Sequence, residues 1–163
     1  MQTLELRKWV VSSDPELTRE AYARIDAGGA ECCGCEECFN FAAARHLVYT
    51  PEVLDLLEVL GIDPLLEAGV RHDGRLSPGR HAYTVWFYVV GEIESGPATC
   101  VARVGRETLR ARESAGGGIS VGFSRGECDE RPDAFLGLPA LCLELGVVVP
   151  WVSNAPEPAP ESD

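Results

Sequence analysis

Apolar and polar positions change their rhythm twice along the chain. Residues Thr3 to Val11 alternate, Leu4 and Leu6 against Glu5 and Arg7, before turning apolar at Trp9-Val10-Val11, which predicts a strand. Ser13-Asp14-Pro15-Glu16 has the order of a capping box, with Ser13 as cap and Glu16 reaching back. Leu17, Ala21 and Ile25 then recur at helical spacing, so a helix is expected to about Asp26, ended by Gly28-Gly29. A second helix is predicted through Phe39 to His46, where alanines favour it. Thr50-Pro51 opens a third, with Val53, Leu57 and Leu60 as its buried stripe and Gly61 and Pro64 as its stop.

Leu65 to Gly79 carries turn signals, Asp73-Gly74 and Ser77-Pro78-Gly79, and reads as a loop. From His81 the period becomes two. Tyr83 to Val90 is apolar on both faces, the pattern of a central strand covered on each side. Glu94 to Pro97 reads as a turn, and Ala98 to Val104 as a strand. Glu107 to Arg112 reads as a more exposed strand, with a helix as its alternative. Ile119 to Phe123 and Leu141 to Leu145, running on to Pro150-Trp151-Val152, complete the set. Helices early and strands late predict one α+β domain over residues 1–152, with the N-terminal strand and helices packed on a mostly antiparallel sheet. Residues 153–163 alternate proline with small and acidic residues and are expected to form a disordered tail.

Composition narrows the partners. The 163 residues suit one domain, and 26 acidic against 14 basic side chains give a net charge of −12. Such a surface repels phosphate backbones and anionic lipid, so neither nucleic acid nor a membrane is expected as a partner. The opening Met1 to Lys8 has no apolar core or small-residue cleavage site, and a cytoplasmic protein is expected.

The sharpest chemical signal is cysteine. Of seven cysteines, Cys32, Cys33, Cys35 and Cys38 crowd together. The odd count and the adjacent pair Cys32-Cys33 fit a disulfide scaffold poorly, so the cysteines are read as thiols in a reducing compartment. Cys33-Gly34-Cys35 with Cys38 places soft ligands in a tight turn, as a structural zinc requires. Cys33, Cys35 and Cys38 are the expected ligands, with Cys128 or Cys32 completing the shell. His72 is a further candidate for that place; His46 lies about two helical turns beyond Cys38 and reaches it poorly. The same cysteines equally suit a metal-free cluster packing the helix start; a dithiol whose Cys35 or Cys38 is activated there is a further reading. Cys100 and Cys142 fall in strand patterns and read as structural.

Other motifs carry less. His46, His72 and His81 are too scattered for a ligand pair or an acid–base dyad, and Ser12, Ser77 and Ser124 lack a nucleophile-elbow context. Gly116-Gly117-Gly118 lacks the lysine of a phosphate loop. Glu36-Glu37 and Glu127 with Asp129-Glu130 read as solvated charge, and Arg103, Arg106, Arg110 and Arg112 as an exposed strand face that can receive an acidic partner.

The run Tyr22 to Glu31, then Cys33-Gly34-Cys35, Cys38, Asn40 and Phe41, resembles an uncharacterised bacterial protein family. The resemblance continues through Leu60-Gly61-Ile62-Asp63-Pro64, the aromatic strand ending at Val90-Gly91, and the closing Pro150-Trp151-Val152. It implies that Cys33, Cys35, Cys38 and Asn40 are the motif positions, with Cys32 as an extra and Phe39 where a basic residue often stands. Asn40 is expected to steady the cysteine turn by donating to a thiolate or a loop carbonyl. Together these point to a binding or protein-interaction module with a zinc knuckle and a protein partner. A thiol- or metal-dependent enzyme using the same cysteines is the alternative.

Overall fold

The longest strand, β4 (Arg80–Ser95), organises the molecule. The computed structural model describes residues 1–97, 100–104, 107–110, 112–125 and 131–160, with 100–104 and 107–110 described by backbone alone. Along one edge of β4 runs β9 (Ala140–Pro150), paired from Arg80↔Pro150 to Val90↔Ala140. Two strands share the other edge. β3 (Gly69–Ser77) pairs with the first half of β4, and β2 (Trp9–Ser13) with its end, Val10 opposite Ser95. The seven-stranded sheet runs β1-β2-β4-β9-β8-β7, with β3 on β4, and every pairing is antiparallel. Here β1 is Gln2–Leu6, β7 Glu113–Gly116 and β8 Ile119–Ser124, while β5 (Cys100–Val104) and β6 (Glu107–Arg110) form a separate hairpin. The expected α+β architecture is therefore what the chain adopts.

Between β3 and β2 no strand among the described residues pairs with β4, and α1 (Pro15–Tyr22) fills the gap with side chains. The Tyr22 hydroxyl donates to the Tyr88 carbonyl at 2.8 Å and accepts from its N–H at 3.1 Å, while Thr18 Oγ1 accepts from Val90 N–H at 3.0 Å. Those backbone groups would otherwise be buried without partners. Tyr83, Phe87 and Tyr88 on β4, Leu141, Leu143 and Leu145 on β9, Phe41, Leu57 and Leu60 on the helices, and Trp9 and Phe135 fill the core.

Local signals set α4 (Pro51–Leu60) as read: Thr50 Oγ1 accepts from Val53 N–H, and Gly61 closes the helix at φ 82°. A Cβ at Gly61 would collide with the Pro15 carbonyl.

Four expectations change. Thr3 to Val11 is a hairpin, β1 and β2, turned at Arg7, whose φ is 53°. Asp14, not Ser13, caps α1, its Oδ1 accepting from Leu17 N–H at 3.0 Å, because Ser13 is buried in β2; the helix stops at Tyr22. The expected loop 65–79 contains β3, an edge strand whose half-exposed polar side chains hide it from hydrophobic pattern. Finally, residues 153–160 are held against the domain. Trp151 Nε1 donates to Ala155 O at 3.0 Å, and Gly79 N–H donates to Glu157 Oε1 at 2.6 Å, so polar contacts do what apolar burial cannot.

Candidate metal centre

The cysteines sit on the turn between two helices, α2 (Gly29–Cys32) and α3 (Glu36–Ala44). Cys35 is the N-cap of α3 in extended conformation, and its sulfur accepts from Cys38 N–H at 3.4 Å, the part serine or threonine usually plays. Gly34 has open space around it. The Sγ atoms of Cys33 and Cys35 are 3.3 Å apart, and those of Cys33, Cys35 and Cys38 all lie within 4.8 Å of one another. Cys33 and Cys35 are exposed; Cys38, one helical turn in, is buried. The Cys35 backbone amide, with the Cys35 and Cys38 side chains, holds the Cys33 thiol below the ordinary range. Burial, then the two neighbouring sulfurs, push Cys38 well up.

Cys32, exposed at the end of α2, is not among the converging sulfurs, and neither is the exposed His46. Cys128 and the Glu127 to Glu130 acids lie outside the described residues, as do Arg106 and the side chains of Cys100, Arg103 and Arg110. Arg112 pairs with the buried Glu144 at 3.4 Å. Cys142 is disulfide-bonded, which corrects its reading as a thiol, whereas the four clustered cysteines are free.

A partly buried ionic clamp fixes the turn. Arg45, just past α3, donates two hydrogen bonds to Glu31 on α2 and one, at 2.6 Å, to Glu67 before β3. Glu67 Oε1 also accepts from Ala30 N–H, and the Glu67 carbonyl from Gly29 N–H, so α2 is capped from the same residue. Burial raises the Glu67 carboxyl, whereas the Arg45 guanidinium lowers that of the more exposed Glu31. Glu67 Oε2, Arg45 Nε and Tyr49 Oη find no partner among the described residues.

Asn40 acts elsewhere than expected. Its amide donates to the Pro150 carbonyl at 3.1 Å and accepts from Val152 and Ser153 N–H, tying α3 to the end of β9, and it reaches the first turn of α3 only through the Tyr83 hydroxyl, to which it donates at 3.4 Å. The first turn of α3 is steadied by Tyr83, whose hydroxyl donates to Glu37 O at 2.9 Å. Burial pushes that hydroxyl up to about 12.

Sequence reading missed a second cluster. His72 Nε2 lies 2.9 Å from His81 Nδ1, and His81 Nε2 lies 2.7 Å from Glu157 Oε1. The two histidines do form a pair, because the β3–β4 register sets Tyr83 opposite His72 and His81 opposite Arg75. Glu157 comes from the segment expected to be free, and no local signal marked it.

Beside the cysteines lies a groove of about 840 Å³, lined by Cys33 and Cys35, by Phe39 and Ala43 of α3, and by Ser153 and Asn154. Among the described residues no helix is long and apolar enough to cross a membrane. No family model, curated protein or solved structure matches this chain.

Proposed function

We propose that Cys33, Cys35 and Cys38 hold one zinc ion and that the domain is a binding module, its metal-stapled turn presented to a protein partner. The observation that carries this is the convergence of three sulfurs within 4.8 Å at the start of one helix. Zinc–sulfur bonds of about 2.3 Å in a tetrahedron place sulfurs about 3.8 Å apart, so little movement is needed. The N-terminus of α3 favours the thiolate forms that a metal requires. The surface charge of −12 supports a protein partner over nucleic acid.

Thiol chemistry without metal is the second reading, favoured by the exposure of Cys33 and the lowering of its thiol. One experiment separates them: elemental analysis of untagged protein purified under reducing conditions, with thiols counted before and after chelation. About one zinc per chain, with three thiols reacting only after chelation, is the expected result. No metal, with Cys33 and Cys35 reactive from the start, overturns it in favour of thiol chemistry.

A further inference from the structure

We propose that Cys33 and Cys35 are an oxidation site: a neutral peroxide joins their sulfurs in a disulfide and thereby releases the metal. The release half rests on the metal reading above. The two Sγ atoms stand 3.3 Å apart, and both residues are exposed. A disulfide bond needs about 2.05 Å, so the sulfurs have only about 1 Å to close. Cys33 and Cys35 flank Gly34 in extended conformation, which turns side chains two residues apart to one face. Among the described residues a Cβ at Gly34 would meet nothing within 4 Å, so the turn has room to tighten. Both cysteines also line the groove, which gives a small oxidant its approach.

Burial and charge select the pair and the oxidant. Cys38 is the partner that Cys-x-x-Cys spacing suggests for Cys35, but it is buried, and the oxidant meets the exposed sulfurs first. Cys32 lies outside the converging set, and adjacent cysteines bridge poorly. Glu36 and Glu37 in the first turn of α3, within a chain of net charge −12, repel an anionic disulfide and leave an uncharged peroxide unopposed. Disulfide chemistry already belongs to this chain, since Cys142 is disulfide-bonded.

The reaction runs in two displacements. Cys35 Sγ is engaged with the Cys38 amide, so Cys33 attacks a peroxide oxygen. The O–O bond breaks, and a sulfenic acid and one water form. Cys35 then attacks the sulfenic sulfur, the S–O bond breaks, and a second water leaves. Two thiols give up two electrons and two protons, and the peroxide is reduced to two waters; for thiolates on a metal, solvent supplies the protons. Two of the three converging ligands are then spent, and the metal departs. The Arg45–Glu31 pair and the Tyr83 bond to Glu37 O hold α2 and α3 in place, so a dithiol reductant can reverse the step.

The test treats the full-length chain, zinc-loaded and metal-free, with hydrogen peroxide, alkylates the remaining thiols and cleaves at glutamate. Cleavage after Glu31 and Glu36 puts Cys33 and Cys35 on one peptide and Cys38 on another. The expected product is an internal disulfide in the first peptide, with Cys38 alkylated. About one zinc is released per linkage, read by a metal-sensitive dye, and is bound again after reduction. Cys32→Ser keeps the linkage; Cys35→Ser loses it and leaves a sulfenic acid on Cys33 that dimedone captures. A cross-link between the two peptides overturns the proposal. So does a linkage lost in Cys32→Ser, a sulfinic acid on Cys33 beside an alkylated Cys35, a linkage formed while zinc stays bound, or both cysteines alkylated after peroxide. A chain that never takes up zinc marks a different failure, that of the metal reading, and the peptide map of the metal-free chain still decides the linkage.

Discussion

Arg45 and Glu31 bracket the cysteine turn and lock it from both sides, Nη1 to Oε1 at 2.6 Å and Nη2 to Oε2 at 2.9 Å. The guanidinium, over the Phe41 ring, also reaches the fully buried Glu67. The loop that carries the thiols is thereby closed into a ring by an ion pair, before any metal is considered.

Removing Arg45 strands a buried carboxylate. Arg45→Met is expected to lower stability by about 3–5 kcal/mol in urea unfolding. Glu31→Gln should cost about 1 kcal/mol or less, since the Glu31 side chain is 39% exposed and water screens it. Equal losses for the two variants would show that Glu67 does not depend on Arg45.

Cys35 has two roles that substitution can divide. Serine keeps an oxygen to accept from Cys38 N–H, so Cys35→Ser should leave the metal-free protein within about 0.5 kcal/mol of wild type, whereas Cys35→Ala loses about 1 kcal/mol with the cap. Both should abolish most of the rise in Tm on adding zinc. Differential scanning calorimetry with and without zinc reads both effects; a full zinc-induced rise in either variant would remove Cys35 from the ligand set.

The C-terminal segment is pinned by Glu157. His81, then the Gly79 amide, then Arg75, hold the Glu157 carboxyl below its ordinary value. A lowered folded-state value means stability that is present above the ordinary carboxylate range and is lost as pH falls through the folded value. Glu157→Gln should therefore lower Tm at neutral pH, and the gap should close as pH falls below about 4. A gap that widens on acidification would contradict the pairing. Limited proteolysis between residues 151 and 160 should also quicken in the variant at neutral pH.

Asn40 is fully buried and satisfies backbone groups of Pro150, Val152 and Ser153. Asn40→Leu should cost about 2–4 kcal/mol, because those groups lose their partner while remaining partly buried. Hydrogen exchange should report the loss at Val152 and Ser153 and spare α4. Faster exchange in the cysteine turn alone would instead favour the local role read from sequence.

How far the sequence was legible follows from the range of each interaction. The cap at Thr50, the proline beside it and the left-handed Gly61 belong to one helix, and α4 was readable from them. Strand β4 was readable because both its faces are buried, leaving an unbroken apolar run. Strand β3 was not, since Arg71, His72, Asp73 and Arg75 have no apolar rhythm and are extended only by pairing with β4. Asp14 displaced Ser13 as a cap for a similar reason: β2 claims Ser13 through its pairing with Gly91, a contact far along the chain.

The candidate site divides the same way. Spacing alone determined that Cys33, Cys35 and Cys38 share one turn, because a Cys-Gly-Cys turn feeding a helix leaves their backbones little choice. Composition and pattern also determined the net acidic charge, the helices α1, α3 and α4, the central strand β4, and the α+β class. Tertiary structure decided which sulfur is buried, since the packing of α3 sinks Cys38 and leaves Cys33 and Cys35 in the open. It decided that Arg45 clamps Glu31 and Glu67, and that Glu157 reaches His81 across 76 positions of sequence. Helical period, capping and turn chemistry act over a few residues and are written locally. Ion pairs and strand edges join residues that only the completed sheet brings together.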